Sequence, residues 1–129
     1  GLQILVCPAI DRNFPVTEFD EIEVPKGNKA WWWNQYLRNE LDASNPYACP
    51  MQAQSVAGLP ETLVITSELD ELRDEGEAYA DRLKQAGIVT TSTRYIGMFH
   101  VFHMYPNSID SARLALEQQC SALKKAFQL

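Results

Sequence analysis

The chain has 129 residues, of which 46% are apolar and 22% are charged. This length suits one domain at most, and the apolar share is sufficient for a packed core, so a disordered chain is excluded. The formal net charge of −6 and the scattered Lys and Arg residues argue against nucleic-acid binding, which requires a basic face. No apolar run reaches the roughly 18 residues of a membrane-spanning helix, and no secretion signal is visible.

Three segments have the composition of buried β-strands. The segment LQILVC, residues 2–7, is a nearly continuous apolar run closed by Pro8. TLVIT at residues 62–66 and TTSTRY at residues 90–95 are short and rich in β-branched side chains. Runs of this kind are typical of strands in a parallel sheet that is covered on both faces.

Three further segments are predicted to be helices. Residues 29–39 contain the aromatic run WWWNQYL, and residues 107–127 carry apolar side chains at spacings of three and four. Between them, Asp74 followed by Glu77 has the pattern of a capping box, and Gly87 marks a helix end. The stretches 8–28 and 42–60 are rich in Pro, Asp, Asn and Glu and are predicted to be irregular.

The alternation of strands and helices predicts an α/β fold with parallel strands and right-handed crossovers. We expect three parallel strands with flanking helices in a three-layer α/β/α sandwich, forming a single partial domain over residues 1–129. Strand 2–7 would leave an apolar edge bare unless another segment or chain covered it. Because the chain also begins at Gly1 without Met, we expect a cleaved or truncated product of a longer protein.

Two side chains with catalytic potential follow neighbouring strands. Asp70 comes after strand 62–66, and His100 comes after strand 90–95, 30 residues later. In open parallel sheets, functional groups gather beyond the carboxyl ends of the strands. An Asp and a His in this position can pair, so that the carboxylate fixes the tautomer of the imidazole. The spacing alone also fits an Asp that forms a turn and a solvated His.

Longer motifs around these residues resemble the bacterial hormone-sensitive-lipase-like esterases of the α/β-hydrolase fold. The stretch from Asp70 to Gly76, DELRDEG, matches the D-x-L-R-D-E-G stretch that holds the acid of that family. The stretch GMFHVF at residues 97–102 matches the G-M-x-H-G-F stretch that holds its histidine at Gly97, Met98, His100 and Phe102, and NPYACP at residues 45–50 resembles a further family loop. The resemblance covers almost the whole chain and identifies it as the C-terminal portion of an α/β-hydrolase.

The resemblance implies a carboxylic ester hydrolase that acts on small-molecule esters with a Ser-Asp-His triad. Asp70 and His100 would be its acid and its base. The G-x-S-x-G nucleophile elbow and the oxyanion loop are absent from these 129 residues, so we expect both upstream and expect the chain alone to be inactive. No metal and no organic cofactor are implied. The resemblance also implies a possible homodimer through strand 90–95 and helix 107–127, and the unpaired cysteine pattern favours a cytoplasmic location.

Two departures from the family pattern support an alternative function. Val101 stands where the family has Gly after the histidine, and Glu71 stands where Pro is common after the acid. A degenerate hydrolase that serves as a non-catalytic binding or interaction module would tolerate both changes.

Other chemically suggestive residues have structural interpretations that we favour. A metal site at His100 and His103 lacks further ligands, and Cys7 and Cys49 show no sign of an activated thiol. Arg73 is interpreted as a structural charge partner near the acid. Trp31, Trp32 and Trp33 either line an acyl pocket or pack, and we expect packing for at least one of them.

Overall fold

A computed structural model describes residues 1–19 and 27–128, so residues 20–26 within the predicted irregular segment 8–28 lie outside the described part. The three strands are β1 (Leu2–Val6), β2 (Glu61–Leu69) and β3 (Thr90–Phe99). The three α-helices are α1 (Lys29–Tyr36), α2 (Arg73–Gln85) and α3 (Asp110–Phe127). Short 3-10 turns lie at Glu40–Ser44, Pro50–Gln52 and Phe102–Met104.

The strands form one parallel sheet in the order β1-β2-β3. The central strand β2 is the most deeply buried, and Val64 and Ile65 have no solvent exposure at all. Side chains of alternating residues leave β1 on opposite faces: Ile4 packs in the core cluster beside α3, and Leu5 packs in the cluster beside α2. Helices therefore cover both faces, which confirms the predicted α/β/α layers.

Helix α1 ends three residues earlier than the sequence predicted. Asn28 caps its first turn by accepting a hydrogen bond from the Trp31 N–H. At Leu37 the backbone becomes extended, because Asn39 caps the next 3-10 turn instead of continuing the helix.

The predicted capping box at the start of α2 is wrong. The helix begins at Arg73, and Asp74 already lies inside its first turn, where its carboxylate pairs with Arg73. The free N–H groups are satisfied by residues outside the helix: the Leu72 N–H donates to Asp70 Oδ1 and the Asp74 N–H donates to Thr17 Oγ1. A cap supplied by a residue 57 positions away cannot be read from local spacing.

The predicted end of α2 is confirmed. Gly87 has φ +79°, in the left-handed region that glycine adopts without a steric penalty. Its N–H donates to the carbonyl of Lys84, and the Ile88 N–H donates to the carbonyl of Leu83, which closes the last turn. The chain is thereby returned to the sheet at β3.

Strands β2 and β3 are three and four residues longer at their carboxyl ends than predicted. The extension includes an irregularity in the register at residues 67–69, after which Leu69 pairs with Phe99. There the Gly97 N–H donates to the carboxylate of Glu68 at 2.7 Å. The two strands therefore end side by side, and the next residue of each is a candidate site residue.

Candidate functional site

Asp70 and His100 meet at the carboxyl edge of the sheet. Each follows directly after one member of the Leu69–Phe99 strand pair, so the backbone register alone brings them together. His100 Nδ1 lies 2.8 Å from Asp70 Oδ2. The side chain of Asp70 is 1% exposed and that of His100 is 48% exposed. One partner is thus fixed in the protein interior while the other remains accessible.

The orientation of Asp70 is determined by both of its carboxylate oxygens. Oδ1 accepts a hydrogen bond from the Leu72 N–H at 2.9 Å, while Oδ2 faces the imidazole. With the proton on Nδ1, His100 donates to Asp70 and its Nε2 retains a lone pair. The pair can therefore hold a histidine ready to accept a proton from a third group.

The electrostatic surroundings favour the protonated imidazole. The hydrogen bond to Asp70 is the largest influence and raises the pKa of His100; burial opposes it, and the nearby charge of Glu71 adds to the rise.

His103 differs from His100, because burial lowers its pKa. His103 Nδ1 is buried and has no hydrogen-bond partner among the described residues, and its ring stands edge-on to Phe102. The two histidines therefore differ in environment despite their proximity in sequence.

The pair opens into a cavity of about 790 Å³. One wall comes from the ends of the strands and includes Leu69 and Phe99, and the other comes from α1. Trp33 is 6% exposed and packs in the interior, whereas Trp32 is 65% exposed, although both border the cavity. The expectation that at least one tryptophan packs is confirmed, and the aromatic helix also forms part of the pocket wall.

Helix α1 is fixed to the rest of the protein by a buried ion pair. Lys29 Nζ lies 2.6 Å from Glu75 Oε2, and these side chains are 7% and 0% exposed. Lys29 also donates to the carbonyl of Phe14, and Glu75 accepts a hydrogen bond from the Ile10 N–H. Desolvation by burial raises the pKa of Glu75, and Lys29 partly offsets this rise. Glu75 is therefore the residue of α2 that anchors the pocket wall.

Arg73 does not pair with Asp70. Its guanidinium contacts Asp74 and the carbonyl of Glu68, and it lies 5.2 Å from the centre of the Phe19 ring. The prediction of a structural charge partner near the acid therefore holds for the position of Arg73, although its carboxylate partner is Asp74.

Two residues beside the pair have left-handed backbone conformations. Cys7 follows β1 with φ +47° and is 6% exposed, and burial raises the pKa of its thiol. Val101 follows His100 with φ +56°, a backbone conformation that β-branched residues rarely adopt. The resembled family has glycine at this position, and a glycine there would have indicated a left-handed backbone from the sequence alone. The position of Cys7 beside the pair could not be predicted from local sequence, because it depends on the pairing of β1 with β2.

No helix within residues 1–19 and 27–128 is both long and apolar enough to span a bilayer. Among these residues, the groups that could jointly ligate a metal ion are Cys7, Asp70 and His100, whose ligand atoms all lie within 4.8 Å of one another. His103 is not part of this cluster.

Comparison with known proteins identifies several esterases among the relatives of this chain. The sequence profile of the α/β-hydrolase fold family matches residues 1–104. An arylesterase of Saccharolobus solfataricus is 46% identical over 67 residues, which are 52% of this chain and 22% of the arylesterase. An esterase of Pyrobaculum calidifontis has a TM-score of 0.86 and 35% identity, covering 97% of this chain and 43% of its own. The metagenomic carboxylesterase EstE1 has a TM-score of 0.83 and 31% identity, covering 96% of this chain and 44% of its own. The chain thus spans less than half the length of these relatives.

Proposed function

Because this chain belongs to the α/β-hydrolase family of hormone-sensitive-lipase-like esterases, we propose that it supplies the acid and the base of a Ser-Asp-His carboxylic ester hydrolase. The observation that carries the proposal is the 2.8 Å contact between His100 Nδ1 and the buried carboxylate of Asp70. The nucleophilic serine and the oxyanion donors belong to a part of the polypeptide outside residues 1–129.

In this mechanism Asp70 holds His100 with its proton on Nδ1. Nε2 accepts the proton of the serine hydroxyl as the serine oxygen attacks the ester carbonyl. The resulting imidazolium is stabilised by Asp70 and returns the proton to the departing alcohol. Water then repeats the sequence on the acyl-enzyme, and the serine is regenerated. The half-exposed ring of His100 supports this role, because it faces the cavity in which an ester would lie.

The chain by itself is proposed to be inactive, since its sequence contains no G-x-S-x-G elbow. The pocket suits small esters with an apolar acyl or alcohol group, because Trp32, Phe99 and Leu69 border it. The carboxylate of Glu71 on the same cavity disfavours esters that carry a negative charge near the reacting carbonyl.

The test is hydrolysis of a short-chain p-nitrophenyl ester by two samples: residues 1–129 alone and the natural polypeptide that contains them. We expect turnover only in the natural polypeptide, and its loss in His100→Ala. His103→Ala is the matched control, because it removes a second imidazole that lies outside the Asp70 contact. Turnover by residues 1–129 that disappears in His100→Ala would contradict the inactive fragment. A natural polypeptide without turnover would instead favour the non-catalytic binding module.

Two surfaces support further proposals about assembly. One edge of β1 has no strand partner among the described residues, and we propose that the upstream half of the polypeptide covers it. Helix α3 exposes several large apolar side chains, and with β3 it is the proposed homodimer surface; the side chains are Leu114, Leu116, Leu123 and Phe127. Measurement of the mass in solution tests the dimer, and a monomer at micromolar concentration would contradict it.

The free thiols of the three cysteines support a cytoplasmic location.

A further inference from the structure

Cys7 brings a sulfur ligand to the Asp70–His100 pair. It ends β1 in the left-handed conformation, and its N–H donates to the carbonyl of Ile65 at 2.8 Å. This arrangement points its side chain to the carboxyl edge of the sheet, where Sγ lies 3.2 Å from Ser67 Oγ. Cys7 Sγ, a carboxylate oxygen of Asp70 and a ring nitrogen of His100 all lie within 4.8 Å of one another.

We propose that Cys7, Asp70 and His100 form a binding site for a thiophilic divalent cation of the zinc class, and that this cation inhibits the enzyme. Thiolate, imidazole and carboxylate are the three ligand types that zinc takes in proteins. In a tetrahedral site the ligand atoms stand roughly 3.3–3.6 Å apart, given metal–ligand bonds of about 2.0–2.3 Å. The ligand atoms of Cys7, Asp70 and His100 lie within 4.8 Å of one another, so their separations need to change by up to about 1.5 Å to reach that geometry. The ring of His100 is half exposed, which permits such a movement.

The surroundings of the three ligands also suit a cation. Binding breaks the S–H bond of Cys7 and forms a metal–sulfur bond, and the proton leaves to solvent. The thiolate and Asp70 then contribute two negative charges, and the carboxylate of Glu71 lies on the same cavity. Ser67 can donate its hydroxyl hydrogen to the thiolate and so orient it as an outer partner. The cavity leaves room for water as a fourth ligand.

Inhibition follows because the cation coordinates the imidazole of His100, which the hydrolysis requires as its base. A His100 nitrogen bound to the cation and an Asp70 oxygen bound to the same cation no longer form the hydrogen-bonded pair. This consequence rests on the proposed esterase function, whereas binding of the metal does not. The two are therefore measured separately.

The binding experiment uses Co²⁺ as a spectroscopic probe for the zinc class in the natural polypeptide. We expect one Co²⁺ per chain, with the charge-transfer absorption of a cobalt–thiolate bond, and displacement by Zn²⁺. Cys7→Ser is expected to remove this absorption and to weaken binding at least tenfold. Cys120→Ser is the matched control, since Cys120 is exposed on α3, and it should leave the spectrum unchanged.

His100→Ala provides a second variant that keeps the cysteine and the folded core, because the imidazole is half exposed. It should weaken Co²⁺ binding at least tenfold. Absence of the thiolate absorption, or its persistence in Cys7→Ser, would overturn the site, as would unchanged affinity in His100→Ala.

Activity then separates the two proposals. We expect Zn²⁺ to abolish ester hydrolysis, EDTA to restore it, and Cys7→Ser to need at least tenfold more Zn²⁺ for half inhibition. Hydrolysis that is indifferent to Zn²⁺ would overturn the inhibition. Metal binding in a polypeptide that hydrolyses no ester would support the site and contradict the proposed function.

Discussion

The buried pair of Lys29 and Glu75 offers a sharp test of how the pocket wall is held. Both side chains are almost completely removed from solvent, and their charged atoms are 2.6 Å apart. Lys29→Met preserves most of the side-chain volume but leaves the Glu75 carboxylate without its partner. Helix α1, which carries the tryptophans of the pocket, would lose its connection to α2.

The expected loss is large because the remaining charge cannot reach water. Removal of one partner from a buried pair costs about 3–5 kcal/mol, whereas replacement of both partners is often nearly neutral. With a urea dependence of about 2 kcal/mol per molar, the midpoint of unfolding should fall by roughly 2 M. The double variant Lys29→Met with Glu75→Gln should recover most of this loss.

The loss should also depend on pH in a defined direction. Burial raises the pKa of Glu75, and Lys29 opposes that rise, so the pKa in Lys29→Met rises further. Below its unfolded pKa of about 4.3, such a carboxyl group is protonated in both states and does not change the free energy of unfolding. As pH increases from there toward the raised folded pKa, the unfolded state loses its proton first, so the free energy of unfolding decreases. The difference from wild type should therefore be small near pH 4 and larger at pH 7.

Urea unfolding of the natural polypeptide, followed by tryptophan fluorescence, measures both effects. Lys84→Met is the matched control, because Lys84 forms an exposed ion pair with Asp81 at 3.3 Å. Exposed pairs contribute about 0–1 kcal/mol. If Lys29→Met lowers the midpoint no more than Lys84→Met does, or if its effect is the same at pH 4 and pH 7, the reasoning is refuted.

Three further predictions follow from the site. With EDTA present, the rate of ester hydrolysis should fall as pH decreases through the pKa of His100, because the protonated imidazole cannot accept a proton. Asp70 raises this pKa above its usual value of about 6.5. Asp70→Asn should therefore move the inflection to lower pH, and it should reduce kcat by roughly 10⁴-fold. Val101→Gly should be more stable than Val101→Ala by about 1 kcal/mol in urea unfolding, because only glycine adopts φ +56° without a steric penalty; equal stabilities would contradict strain at this position. Trp33→Ala should lose about 3–5 kcal/mol of stability and Trp32→Ala less than about 1, since one side chain is 6% exposed and the other is 65% exposed; the reverse order of unfolding midpoints would contradict this assignment.

The sequence predicted the elements that local pattern determines. Buried strands and amphipathic helices carry their own periodicity, and Gly87 marks a helix end by its backbone freedom. The order of an acid and a histidine after successive strands likewise predicted that Asp70 and His100 would lie at one edge of the sheet. Their contact at 2.8 Å agrees with that placement.

Features that depend on distant segments were beyond such patterns. The last residues of β2 and β3 are strand because Leu69 pairs with Phe99, and neither segment alone indicates that pairing. Thr17, which lies 57 residues before Asp74, accepts the hydrogen bond from the Asp74 N–H at the start of α2, so Asp74 does not cap this helix as predicted. Cys7 reaches the site only because β1 lies beside β2 in the sheet. In each case the decisive partner is distant in sequence, so local propensity carries no information about it.

The motif of residues 70–76 contains side chains that point to two different parts of the structure. Asp70 turns toward the cavity and meets His100, whereas Glu75 turns into the interior and meets Lys29. Arg73 lies between them and binds the carbonyl of Glu68 at the end of β2. The motif therefore holds both a member of the Asp70–His100 pair and the residue that supports the pocket wall, and the two contributions can be separated experimentally. Asp70→Asn should remove turnover from a stable protein, whereas Lys29→Met should reduce stability while the Asp70–His100 contact remains intact in the molecules that stay folded.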